Sequence, residues 1–309
     1  MIKEFVTDCR ARGLTDHGIE TYLSCCRDFL KHNPEITKVT LDDLVKYLEE
    51  LRARNLQGST LKGYFVAISA YYEYMIFTGA AKSNPIPAFR KRYLHVRLNQ
   101  NGENIRQLIS IEEMAELIYS ARMILPRTMM LFLAKTGIRR GELISMDIQD
   151  INMEYGRFRI KPKAKRSNRN GFLDPELILM LREYLDWREL RVKDDVDALW
   201  ISYAGKRICK NHVYNTVVKH AKRLGLHDPR GPMEKRFGPH CFRHFFTTHL
   251  RRAKMPREFI QELRGDRRKD AVDIYDHIST EELRKSYLAC VPSLGTGPGR
   301  RGTLEEWCK

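Results

Sequence analysis

The 309-residue chain has no long apolar run. Its best candidate, Met123 to Ala134, is interrupted by Pro126 and Arg127 and is shorter than the ~18 residues a membrane-spanning helix needs. The N-terminal MIKEFVTDCRARG is too polar for a signal peptide. There is no C-x-x-C. Cys9, Cys25, Cys26, Cys209, Cys241, Cys290 and Cys308 are odd in number and irregular in spacing, which argues against a disulfide framework or a zinc site and for free thiols in a reducing compartment. No internal repeat is present. Acid is also scarce: 39 Asp and Glu stand against 55 Lys and Arg, a formal net charge of +16. These absences lead to the expectation of a soluble, cytoplasmic protein with a polyanionic partner, of which nucleic acid is the commonest. A membrane surface is the rival partner, but no basic amphipathic helix with an aromatic face stands out.

What is present is a helical N-terminal part. Ile2 to Arg12 ends at Gly13, and Thr15 to Leu30 stops before Pro34. Thr40 and Asp43 make a capping-box-like start to a helix carrying Leu41, Leu44, Val45, Leu48 and Leu51 at helical spacing. Ser59 to Phe77 follows, with Tyr64, Tyr71, Tyr72 and Tyr74 serving either as core or as a platform for stacked bases. Short connections make this a small bundle over residues 1–82. Residues 83–108 change character, with prolines, the basic run Arg90, Lys91 and Arg92, and an Asn/Gly-rich piece. They read as a linker, lying either in solvent or against phosphates.

Residues 109–290 read as a second, mixed domain. Ser110 and Glu113 form another capping box, and an apolar helix from about Arg127 to Lys135 leads into TGIRRGEL at 136–143. There Gly137 and Gly141 bracket Arg139 and Arg140 on a sharply turned backbone, with Glu142 close enough to brace an arginine. Gly156 to Ile160 alternates as a half-exposed strand, a turn follows, and Phe172-Leu173 returns. The resulting hairpin carries Arg157, Arg159, Lys161, Lys163, Lys165, Arg166 and Arg169, and a two-stranded ribbon of this kind suits a DNA groove. Leu199-Trp200-Ile201 adds a short strand between helices at Glu176–Glu189 and Lys210–Leu224. Helices at Arg257–Leu263 and Thr280–Ala289 close the domain. Residues 291–309, rich in Gly, Pro, Arg and Ser, read as a flexible tail.

The chemistry concentrates in Pro239 to Ile278. PHCFRHFFTTHL places His240, Arg243 and His244 on one helical face, a cationic and proton-transferring cluster. Tyr275 follows about thirty residues later, in DIYDHI. A tyrosine hydroxyl, with a pKa of about 10, is a poor nucleophile at neutral pH unless cations lower that pKa or a base takes its proton. Arginine and histidine together suit an attack by tyrosine on a phosphodiester, whose two free oxygens need such partners.

In order and spacing, these pieces resemble the tyrosine recombinase/integrase family of phage-type integrases and Xer-type recombinases. TGIRRGEL is similar to the family's T-G-[LI]-R-x-x-E-L box and puts the first catalytic arginine at Arg139. HCFRH is similar to H-x-[LF]-R-H and puts His240 and the second arginine at Arg243, with His244 beside them. DIYDHI is similar to the nucleophile box and puts the attacking oxygen on Tyr275. The basic hairpin stands where the family keeps its catalytic lysine, here Lys163 or Lys165. One departure lies nine residues before Tyr275: the family usually has L-G-H, whereas this chain has Leu263-Arg264-Gly265-Asp266, a version that resembles integrases of archaeal mobile elements. An ionised aspartate cannot donate to a phosphate oxygen. Its expected role is to orient Arg264 or Arg267, or to accept a bond from Tyr275.

The resemblance implies a mainly helical protein with a small β-sheet: an N-terminal SAM-like core-binding bundle and an α+β catalytic domain, closed as a clamp on DNA. It implies a cofactor-free, metal-free transesterification with a 3′-phosphotyrosine intermediate and strand exchange. The implied partners are double-stranded DNA at paired recombination sites, further copies of the chain in a tetramer with a C-terminal helix passed to a neighbour, and a directionality factor; no membrane is involved. Two rivals share parts of this reading. A type IB topoisomerase uses the same residue set to relax one duplex, but the short helical N-terminal domain favours a recombinase. A DNA-binding protein with a lapsed active site is favoured by Asp266 alone.

Overall fold

A computed structural model describes residues 2–94, 108–161, 169–193, 196–266 and 278–295. The chain divides into two compact units, Met1–Glu103 and Asn104–Lys309. Among the described residues it is mainly helical, with one small antiparallel sheet. Among the described residues no helix is long and apolar enough to cross a membrane.

The first unit is a bundle of α1 (Ile2–Ala11), α2 (Asp16–His32), α3 (Leu41–Ala53), α4 (Gly58–Phe77) and α5 (Ile86–Tyr93). The Thr40–Asp43 capping box forms as the sequence leads one to expect, satisfying backbone donors at both residues. Helix α4 is apolar on nearly every side, and such a helix belongs in the interior; Phe65, Ile68, Tyr71, Tyr72 and Met75 are all buried. Tyr71 and Tyr72 are therefore core, and Tyr72 Oη donates to the Ile36 carbonyl at 2.6 Å. Tyr64 and Tyr74 are half-buried against the same core.

The segment read as a linker begins as structure. Asn84 donates to Ser69 and accepts from the Ile86 amide, which starts α5. Pro85 and Pro87 sit at the N-terminal end of that helix, where a missing N–H leaves no bond unmade. Ile86, Phe89 and Leu94 are buried in the first unit's core. Prolines that looked like linker punctuation are a helix start.

In the second unit α6 (Ile111–Tyr119), α7 (Ile124–Thr136), α8 (Arg140–Ile144), α9 (Pro175–Glu189), α10 (Lys210–Arg223), α11 (Pro239–Arg252), α12 (Arg257–Arg264) and α13 (Thr280–Cys290) surround a sheet of order β1 (Ile151–Asn152), β2 (Arg157–Ile160), β3 (Arg169–Phe172). Helix α7 is the axis: from Leu125 to Thr136 only Arg127 is not buried. It starts before Pro126, because a proline in the first helical turn breaks no hydrogen bond. The hairpin is in register with Phe158 opposite Gly171 and Ile160 opposite Arg169. Residues 198–201 make only isolated bridges, Asp147 with Ala198 and Ile201 with Arg207, in place of the expected strand.

The tail is anchored at its start. Lys135, with a fully buried side chain, donates to Asp174 and to the Pro292 carbonyl, each at 2.7 Å, and pairs with Glu176. Glu176 in turn accepts from the Leu294 amide at 3.0 Å, and Leu294 is buried. Residues 292–294 thus complete the packing of a buried cation, where a flexible tail was expected. Helix α13, the expected donor helix, buries Leu283 and Tyr287 in its own unit, and Tyr287 Oη donates to the Lys135 carbonyl at 3.1 Å.

Candidate active site

The site is built where three helix ends meet. Helix α7 stops at Gly137, whose φ of 58° is left-handed. A Cβ there would lie 2.4 Å from the Phe246 ring, so glycine is required both by the backbone and by the neighbour. The turn leaves Arg139 extended at the cap of α8. Arg243 comes from the middle of α11, and its side chain is 3% exposed. Helix α12 ends at Gly265, φ 59°, and presents Asp266 next.

Two of these helix ends hold the arginines through carbonyls left without helical partners. Arg243 Nη1 donates to the Gly137 carbonyl at 2.9 Å. The Arg264 carbonyl accepts from Arg243 Nη2 at 2.9 Å and from Arg139 Nη1 at 3.2 Å. Asp266 Oδ1 then accepts from both guanidinium groups, from Arg139 Nη2 at 3.0 Å and Arg243 Nη2 at 2.8 Å. Arg264 Nε lies 3.0 Å from Oδ2, an ion pair outside hydrogen-bond alignment. Burial, and then the charges of Arg139 and Arg264, push the Arg243 pKa down to about 10 against the pull of Asp266. The guanidinium stays charged at neutral pH.

Glu142 secures the other side of Arg139. Its carboxylate accepts from the Arg139 amide at 2.8 Å and from Arg139 Nη1 at 3.2 Å. Arg169 grips the same carboxylate with two bonds, at 3.3 and 3.0 Å. Burial opposes ionisation of Glu142, but Arg169, the Arg139 amide and the Arg139 charge outweigh it and hold the carboxyl below its usual range.

A cleft of about 390 Å³ opens beside this cluster. Its walls include Arg139, Arg243, Arg140, Arg236, His240 and Tyr214; among the described residues lining it there is no carboxylate. His240 is exposed in the first turn of α11, and its ring lies 5.0 Å from that of His244, nearly perpendicular to it. A cationic cleft with an imidazole at its edge can bind an oxyanion and exchange a proton with it.

The structure thus brings Arg139, Glu142, Arg243 and Asp266 together, with His240 and His244 on the helix that carries Arg243. Asp266 engages both arginines as well as Arg264, a wider role than the one expected. Arg169 requires a correction. It was expected on the DNA side of the hairpin, but its side chain is 4% exposed and spent on Glu142. The reason is the strand's pleat: Arg169 faces α8 and α12, where a buried carboxylate awaits it. Lys161 also differs from the expectation of a free DNA contact, since it is paired with Asp147 and, at 3.4 Å, with Asp150. Arg159 is more exposed, with Asp150 4.0 Å away, and Arg157 lies 3.6 Å from Glu281. Arg90, Lys91 and Arg92 occupy the last turn of α5, where cations also favour the helix dipole. Lys163, Lys165, Arg166 and Tyr275 lie outside the described residues. Sequence reasoning missed the buried Lys135 network, because a lysine ending an apolar helix carries no sign of two carboxylates some forty residues away. It also missed Arg236 and Tyr214, which reach the cleft only through folding.

Comparison with known proteins identifies the family and the fold. The model of the phage integrase family matches residues 101–282, and that of the phage integrase N-terminal SAM-like domain matches residues 1–78. Tyrosine recombinase XerC of Herpetosiphon aurantiacus is 27% identical over 282 residues, covering 89% of this chain and 89% of that protein. Two solved structures share the fold. A lambda integrase dimer bound to a COC′ core site has a TM-score of 0.68 at 17% identity, over 90% of this chain and 97% of that one. XerH bound to its difH substrate, in a pre-cleavage complex, has a TM-score of 0.62 at 21% identity, over 92% and 82%. With the family model spanning more than half its length, the chain belongs to the phage integrase family of tyrosine recombinases, enzymes of DNA strand cleavage and exchange.

Proposed function

We propose that this chain is a site-specific recombinase that cleaves and rejoins duplex DNA through a 3′-phosphotyrosine on Tyr275 and a Holliday junction. The observation that carries the reading is the arginine pair. Arg139 and Arg243, 104 positions apart in sequence, are held by one shared carboxylate oxygen and one shared carbonyl at the wall of a cationic cleft. So much neighbouring positive charge, with Arg243 almost wholly buried, has a use when an anion of higher charge forms beside it.

In the proposed reaction Tyr275 Oη attacks the phosphorus of the scissile diester. Arg139 and Arg243 stabilise the non-bridging oxygens as negative charge builds on them, and preorganised donors of this kind are each worth about 10²–10³ in rate. His240 exchanges a proton with the tyrosine. The P–O5′ bond breaks, its electron pair goes to O5′, and Lys163 or Lys165 supplies the proton. The 5′ hydroxyl of a second duplex reverses the step and exchanges strands. Glu142 and Asp266 keep the arginines aimed, and His244 supports His240. Arg90, Lys91, Arg92, Arg157, Arg159, Lys161 and Arg166 contact DNA phosphates, the surface ion pairs among them exchanging readily with water and salt. Four copies acting on two duplexes complete the proposal.

The test is covalent trapping. The protein is mixed with end-labelled duplexes from the DNA flanking its own gene, nicked so that cleavage cannot reverse, then denatured and run on a gel. A protein–DNA band with the native chain that is absent with Tyr275→Phe is the expected result. A band that persists in Tyr275→Phe refutes the assignment of the nucleophile.

A further inference from the structure

The cleft beside the arginine pair has a second wall that the reaction just described does not use. Arg139 and Arg140 are neighbours in sequence but are held by different elements. Arg139 is drawn toward the end of α12, where it donates to the Arg264 carbonyl and to Asp266. Arg140 reaches the start of α10, where its Nη1 donates to the Lys210 carbonyl at 3.4 Å. One turn further along α10, Tyr214 lines the same cleft. Tyr214 is 42% exposed, and its hydroxyl has no partner among the described residues. A Cβ on Gly238 would lie 3.8 Å from the Tyr214 ring, so the ring stands against the cap of α11.

Arg236 completes this wall. Its Nε donates to the Gly231 carbonyl at 2.9 Å, which leaves its two terminal nitrogens for the cleft. The next residue, Phe237, is buried, with its ring 5.4 Å from that of Phe242 and its carbonyl 2.7 Å from His227 Nδ1. The backbone that carries Arg236 is thus fixed from behind.

The two walls differ in how their charge is balanced. Arg139 and Arg243 share Asp266. Arg140 and Arg236 each bond a carbonyl and make no ion pair among the described residues. Two cations without counter-ions and a phenol without a partner suit an anion with several acceptor oxygens, and a phosphodiester supplies one. In a DNA strand the next phosphate follows after about 3.4 Å of axial rise, so a strand with one phosphate on the arginine pair brings another close by. We propose that Arg140, Tyr214 and Arg236 form a second phosphate subsite, which holds the neighbour of the scissile phosphate on the same strand and so sets the register of that strand in the cleft. The proposal rests on the reading that Arg139 and Arg243 hold the scissile phosphate.

The test has two readouts. In the first, binding to a duplex from the flanking DNA is measured across a salt series for the native chain, Arg236→Gln, Arg236→Lys, Arg140→Gln and Tyr214→Phe. A cation that neutralises one phosphate contributes about 0.9 to the slope of log affinity against log salt. Arg236→Gln and Arg140→Gln should each lower the slope by about that amount, and Arg236→Lys should keep it. Tyr214→Phe should keep the slope while binding several-fold more weakly. In the second, the scissile phosphate is located from the trapped adduct, and duplexes carry a single uncharged methylphosphonate at one phosphate at a time around it. The native chain should lose about tenfold in affinity at one immediate neighbour. Arg236→Gln should lose only about threefold more there, while keeping the native loss at every other phosphate. A structural role for Arg236 would not confine its coupling to one phosphate.

Independent losses at every phosphate, or a native salt slope in Arg236→Gln, would overturn the proposal. So would coupling of Arg236 to the scissile phosphate alone, which would make it a third member of the arginine cluster. If the native chain forms no adduct on any duplex, the reading of the arginine pair falls and the proposal falls with it.

Discussion

Asp266 stands where the family resemblance leads one to expect a histidine, and removing it should expose what it does. In Asp266→Ala two charge-assisted hydrogen bonds vanish, at 3.0 Å to Arg139 and 2.8 Å to Arg243. Each bond of this kind contributes about 1.5–3 kcal/mol. Asp266 is 28% exposed and Arg139 26%, whereas the Arg243 side chain is 3% exposed. Water replaces part of what Arg139 loses and little of what Arg243 loses, so about 3 kcal/mol for the pair is the expected loss. That is about 100-fold in the ratio of folded to unfolded second unit. Trp187, Trp200 and Trp307 are all the tryptophans of the chain and all belong to that unit, so their fluorescence during urea unfolding reads its stability without interference from the bundle. Asp266→Asn keeps a neutral acceptor oxygen and should lose roughly half as much. In the trapping gel Asp266→Ala should bind DNA but form adduct more slowly, because Arg139 and Arg243 repel one another once the shared anion is gone. An Asp266→Ala protein that unfolds at the native urea concentration and traps DNA at the native rate would refute this account of the arginine pair.

Lys135→Met should destabilise the second unit by about 3–5 kcal/mol, since it strands Asp174 and Glu176 as buried carboxylates without their cation; an unchanged urea midpoint would contradict the buried network. Acid should act through Glu142. Its folded pKa lies below its unfolded value, so its contribution to stability is fully present above the unfolded pKa of about 4.3 and is lost as pH falls through the lower, folded pKa. Glu142→Gln should therefore be less stable than native at neutral pH and show a shallower loss of stability between about pH 5 and pH 3, measured as urea midpoints across that range.

Much of the fold was legible because it is written locally. The capping boxes at Thr40 and Ser110 mark helix starts through residues three apart, and the helical spacing of α3 and α4 shows in the apolar pattern alone. TGIRRGEL announces its turn because Gly137 is one of the few residues that can take a left-handed backbone there. Where the reading went astray, a local sign had two meanings. Pro85 and Pro87 punctuate a linker or open a helix with equal ease, and only the burial of Ile86 and Phe89 decides between them. The Gly- and Pro-rich start of the tail looked flexible until Lys135 took the Pro292 carbonyl as a partner.

The site divides in the same way. Arg139, His240 and Arg243 stand out as candidates in the sequence, because short motifs place their chemistry within a turn or two of a helix. Their mutual arrangement does not. Arg169 and Arg159 alternate along one basic hairpin and look alike in a list of charges, yet one is sealed onto Glu142 and the other faces solvent. Asp266 lies more than a hundred residues from Arg139, and nothing near it in sequence foretells that it bridges the arginine pair. The sequence by itself determined most of the helices, the family and the chemical groups, since propensity, capping and motif spacing act over a few residues. Only the tertiary structure decided which charges are paired, because pairing depends on what folding brings within about 3 Å and on how much water it excludes.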